Sequence, residues 1–500
     1  MPISSKLSWL PIVAFIATPT QLNADEYQQW LQAQETEYHQ YQSAQDKAFS
    51  GFLTKAWRSY QVDQGLVRDT KPKPVVMPIA PPPVVSTPLL DPEKTTQPAP
   101  VKPVEIKTIP LPPPVVSAPV ITPPVQPSPL GESLQLKFYG VPVTLSYNKK
   151  IKVHLGQKIT NKAISQFWDK LSSIDSTTLQ QQLEQYRKEL ELNDWGYAMF
   201  LHRVGRQLYA DRENEALLFT WFILSKSGYD ARVGFSGSNV HLMLPTQDEL
   251  FGLPFFRYSG KKYYVVKFDD QAPTIKSLYS YDGRYPGADQ LFSLAITQLP
   301  EIKKQPVQRK LNFTFSGEAH EIDVTYDRNI IAYFDTYPVT ELNIYFTSAV
   351  SDQLLYTLLS SLKPLLEGHS EEEAVNLLLR FVQTAFDYKT DGDQFGREKY
   401  FFAEELFFYQ FSDCEDRSVL FAFLVNSLLG LDVIALDYPG HVATAVHFNT
   451  PVKGASVSYK GKRYTIADPT YINANAGAVM PNLKSTSPNI IPLVFQDNSK

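Results

Sequence analysis

The chain has 500 residues, enough for two or three domains, and its 43% hydrophobic and 13% aromatic content suffices for packed cores. A net charge of −5, with no run of Lys or Arg, argues against a nucleic-acid surface. A single cysteine excludes an internal disulfide, so its thiol is either inert and buried or reactive.

Lys6 precedes an apolar stretch over 7–17 and a small, polar close ending at Ala24. Residues 1–24 therefore read as a secretory leader cleaved near Ala24, too short to span a membrane. The expectation is a periplasmic or secreted protein with no transmembrane segment. Residues 25–62 are rich in Gln and place Tyr27, Leu31, Tyr38, Tyr41, Ala48 and Phe52 at three- and four-residue steps. That spacing predicts one polar amphipathic helix within a 25–70 unit, suited to self-association or docking. Residues 71–132 hold more than half of the chain's 38 prolines and predict an extended polyproline II linker. At about 3.1 Å per residue it reaches on the order of 150–190 Å, and it is expected to add nothing to any site.

The remainder repeats itself. DRENEALLFTWFILSKSG (211–228) aligns without a gap on DCEDRSVLFAFLVNSLLG (413–430). YSGKKYYVV (258–266) matches YKGKRYTIA (459–467), and the alternating segment 134–147 resembles 311–326. Residues 133–300 and 311–500 are two copies of one domain on this reading. In the second copy a helix is predicted over 415–429, with Ser412 and Glu415 as its capping box and Gly430 as its stop. Strands are predicted over 432–436, 441–448, 456–459 and 463–467. The fold class is α+β, an antiparallel sheet packed on that helix.

Cys414 opens the helix, and His441 and Asp468 lie on the strands that follow, which is the order of a thiol nucleophile, its base and the base's orienter. A helix N-terminus favours the thiolate, whereas the acidic neighbours Asp413, Glu415 and Asp416 oppose it, so His441 must do much of the stabilising. A thiol so activated is alkylated well below the pH a free thiol needs. His447 is a rival base on the same strand, about 20 Å away at the strand's rise. Asp416 fits as support in the first helical turn, and Gln410 or Tyr409 as the second oxyanion donor beside the Cys414 N–H.

Cys414-Glu415-Asp416, Gly440-His441 and Asp468-Pro469 resemble the motifs of the transglutaminase-like superfamily, whose core is papain-like. Asp413 stands where many members carry glycine. The resemblance implies two tandem transglutaminase-like domains, with a Cys414–His441–Asp468 triad in the second. It further implies attack on an amide through a thioester acyl-enzyme, with hydrolysis favoured over cross-linking and a protein or peptide substrate, cell-wall peptide included. In the first copy Arg212, Asn239 and Lys267 stand at the triad positions, so that copy is degenerate. Arg212 and Lys267 suggest a positive pocket for a carboxylate. No metal-ligand spacing, phosphate loop or nucleotide motif is present, so neither metal nor cofactor is expected. The alternative is a non-catalytic binding or scaffold protein built from the same modules.

Overall fold

The computed structural model describes residues 24–55, 57–67, 73–81, 131–268 and 275–495. The leader and most of the proline-rich linker lie outside these residues. The chain is mixed α and β, and among the described residues its sheets are built from antiparallel pairs apart from one short parallel pairing.

Each half of the globular part opens with a hairpin. Gly131–Phe138 pairs with Val141–Asn148, and Pro306–Phe315 with Glu318–Asp327. Both turns have two residues with positive φ, Tyr139-Gly140 and Ser316-Gly317, the primed geometry that matches strand twist. Two helices lie on each hairpin, Thr177–Glu189 and Asp194–Leu208 in the first half, Asp352–Leu366 and Glu371–Thr384 in the second.

A buried helix then leads into a sheet in each half. In the second half the helix is Cys414–Leu424, continued by π turns over Val425–Leu429 and stopped by Gly430 at φ +66°. The sheet order is Ser456–Tyr459, Lys462–Ala467, His441–His447, Asp432–Tyr438, Asn489–Pro492. In the first half the helix is Glu213–Lys226, and Phe255–Tyr258, Lys261–Val266, Asn239–Pro245, Arg232–Ser236 and Ser277–Ser280 follow in the same spatial order. The duplication is thus one of topology. Strand alternation divides each sheet between two cores. In the second sheet Val433, Ala435, Val442 and Val446 face the large helical core, while Ile434, Leu436, Ala443 and Ala445 face a smaller one behind.

The N-terminal segment differs from the expectation. The helix Ala24–Leu53 ends well short of residue 62, and Arg58–Gln61 forms a sixth strand on Ser277–Ser280. Tyr38 and Tyr41 are exposed. The buried side is instead Asp46, Phe49, Ser50 and Leu53. Phe49 packs its ring 4.7 Å from Trp168, and Lys226 Nζ meets Asp46 Oδ1 at 2.5 Å. Aromatic burial favours this seating over a free helix. Val62 joins the rear core of the first sheet and Ala80 that of the second. A chain beginning near residue 131 would lack part of both cores.

Candidate active site

Cys414 is the first residue of its helix and is fully buried. Asp413 precedes it with extended backbone (φ −119°, ψ −155°), and the reciprocal cap is Asp413 with Asp416. The expected Ser412/Glu415 box is therefore displaced by one residue, because Asp caps as well as Ser and sits next to it. Asp416 accepts from the Asp413 N–H (3.1 Å) and the Phe401 N–H (2.9 Å), which fixes the chain on both sides of the thiol. Its role is positioning.

His441 opens its strand after the two-residue turn Pro439-Gly440. Gly440 takes φ +71°, a left-handed value a side chain would strain. His441 Nε2 lies 2.9 Å from Asp468 Oδ2, with both side chains buried. Asp468 Oδ1 accepts from the N–H groups of Thr470 (2.9 Å) and Tyr471 (3.3 Å). The loop beyond is held by Gln383, whose Nε2 donates to the Asp468 (3.1 Å) and Ala474 (3.0 Å) carbonyls. Gln383 was not singled out from sequence, since a helix glutamine carries no motif.

Helix and strand are tied by Ser418, whose Oγ donates to the Val442 carbonyl (3.1 Å). Cys414 is one turn before Ser418 on the same helix face, about 6 Å along, and Val442 follows His441. The pair is nevertheless unformed. His441 Nδ1 is buried without a hydrogen-bond partner, and the thiol donates instead to Glu415 Oε2 at 3.0 Å. Burial, then Glu415 and Asp413, push the Cys414 thiol well above its ordinary value, with Lys73 opposing. The expectation of a thiol activated at low pH does not hold in this arrangement.

The reason is an acidic nest around the helix head. Asp391, Asp413 and Asp416, and likewise Asp391, Glu398 and Glu415, bring carboxylate oxygens within 4.8 Å of one another. Such spacing suits a cation, and Lys73 Nζ reaches Asp413 at 2.8 Å and Glu398 at 3.0 Å, with Glu415 also bonded. Burial, then Asp416 and Glu415, raise Asp391 to about 9. Burial, then Glu415, raise Asp416 to about 7. Burial also opposes ionisation of Glu415, but Lys73 outweighs it and brings that carboxyl to about 2. Arg417 underlies the nest, fully buried, donating to Ser412 Oγ (3.2 Å), the Gln383 carbonyl (3.0 Å) and the Phe386 carbonyl (2.6 Å).

Gln410 is exposed, and Tyr409 stacks on Phe401 at 4.5 Å, with its hydroxyl 3.4 Å from Asp335. His447, at the far end of the strand, pairs with the Arg463 carbonyl at 2.9 Å.

Arg212, Asn239 and Lys267 do share a cleft of about 570 Å³ in the first half. Glu213 and Glu215 line it as well, and Arg212 Nη1 lies 3.8 Å from Glu215 Oε1. Two carboxylates beside two cations make a charge-balanced cleft, not the positive pocket expected. His241, also lining it, lies 2.8 Å from Ser236 Oγ, and burial, then Lys267, lower it to about 4. It is a neutral, structural histidine. No protein-family model matches the chain, and no curated protein or solved structure matches it either.

Proposed function

We propose that the second half is an exported, transglutaminase-like cysteine enzyme and that the first half is its degenerate copy. The supporting observation is the buried His441–Asp468 pair, with Nδ1 left unpartnered, on the strand bonded to the helix that Cys414 heads. In the reaction His441 Nδ1 takes the thiol proton and the sulfur attacks an amide carbonyl carbon. The C–N bond then breaks, the leaving amine receives the proton from the imidazolium, and a thioester remains on Cys414. Water releases the acid in hydrolysis, the favoured outcome; an amine would yield a new amide. Export rests on the leader read in residues 1–24, and among the described residues no helix is long and apolar enough to cross a membrane.

One observation favours a second reading, a binding protein without turnover: the thiol is bonded to Glu415 and not to His441. Hydroxylamine separates the two. It intercepts a thioester as a hydroxamate, so hydroxamate formation from a peptide library is expected with the full chain, more strongly with Glu415→Gln, which frees the thiol. No hydroxamate from either chain would favour the binding protein.

A further inference from the structure

Residues 73–81 run from the head of the Cys414 helix to the back of its sheet. At one end the Lys73 side chain, 12% exposed, enters the carboxylate nest, and its ammonium lies 5.7 Å over the Tyr400 ring. At the other end Ile79 bridges Ile472 in parallel. The Ala80 N–H donates to the Ile472 carbonyl (2.7 Å), and the Ile472 N–H to the Pro78 carbonyl (3.0 Å). Between them Val75 and Val76 stay 72% and 81% exposed. A charged anchor at one end, main-chain pairing at the other and, between them, two exposed valines beside Met77, whose Sδ accepts from Arg417 Nη1 (3.0 Å), are how a groove holds an extended peptide. The groove is also not saturated: the fully buried Asp413 keeps Oδ1 without a hydrogen-bond partner, as does the Tyr388 hydroxyl.

We propose that this groove is a substrate subsite, that its nest takes the ammonium of a lysine in an extended peptide, and that residues 73–81 occupy it in cis until a substrate displaces them. The proposal rests on the enzyme reading for the word substrate, while the binding it describes does not. The nest reads charge and does not prepare an attacking amine. Burial opposes charge on Lys73, but Glu415 and Asp413 outweigh it and hold the amine protonated, without a lone pair to attack a thioester. With the segment in place Cys414 is fully buried.

The test uses the full chain with residues 73–81 replaced by a Gly-Ser segment of equal length, and a labelled nonapeptide Lys-Pro-Val-Val-Met-Pro-Ile-Ala-Pro followed by anisotropy. The peptide is expected to bind this chain at least about tenfold more tightly than the same peptide with norleucine for lysine, the cost of losing a charged hydrogen-bonding group. Glu398→Gln in the same chain is expected to weaken only the lysine form. Equal binding of both peptides, or of neither, overturns the proposal. If the replaced chain fails to fold, Lys73→Met in the otherwise natural chain is expected to bind the lysine peptide at least about tenfold more tightly than the norleucine form, and equal binding overturns it. Neither readout needs turnover, so failure here is distinct from failure of the enzyme reading.

Discussion

Cys414→Ala is expected to lower hydroxamate formation about 10⁴-fold or more, and His441→Ala by a comparable factor. Each removes one member of a unit that works only whole: without sulfur no thioester forms, and without imidazole the thiol keeps its proton. Asp468→Asn is expected to cost less, about 10²–10⁴-fold, because the ring survives but loses the acceptor that fixes its orientation and tautomer. Thermal unfolding separates chemistry from folding. Cys414→Ala deletes a small buried group and is expected to cost about 1 kcal/mol. Asp468 retains the Thr470 and Tyr471 N–H groups when His441 is truncated, so that variant also folds. Full activity in Cys414→Ala would refute the triad.

The largest expected stability effect lies at Arg417, which no motif marks. Arg417→Met keeps side-chain length but strands the Gln383 and Phe386 carbonyls and the Ser412 hydroxyl, all now satisfied by one guanidinium. It also removes a buried cation close to several buried carboxylates. Losing one side of such a network costs about 3–5 kcal/mol. For a domain of this size that lowers Tm by roughly 10 °C. A calorimetric scan of the full chain is the check; a loss below about 1 kcal/mol would mean water or backbone shifts replace the guanidinium.

The sequence carried the sheet well because its signals there are local. Alternation and turn glycines placed strands at 441–448 and 456–459, and the structure has His441–His447 and Ser456–Tyr459. The Cys414 helix was legible from its apolar content and from Gly430, but not its π turns, which share the periodicity of a buried helix too closely. Residues 73–81 were invisible for the opposite reason. A proline-rich run has no period to read, and Lys73 meets Asp413 across 340 positions of sequence. The nest joins Asp413 and Glu415 of the helix head to Asp391 and Glu398 from the preceding segment, so no spacing rule announces it whole. Composition alone gave a spacer where the structure shows a docked segment.

The central claim is that Cys414 and His441 form a reactive pair once the thiol leaves Glu415. Its most direct measurement is the iodoacetamide labelling rate of Cys414 across pH 4–10 in Glu415→Gln, which removes the carboxylate holding the thiol, with and without His441→Ala. A thiolate paired with imidazolium is expected to label fast on a plateau beginning near or below about pH 6, and His441→Ala to abolish that plateau. A single rise at or above about pH 8.5, the same in both chains, would contradict the claim.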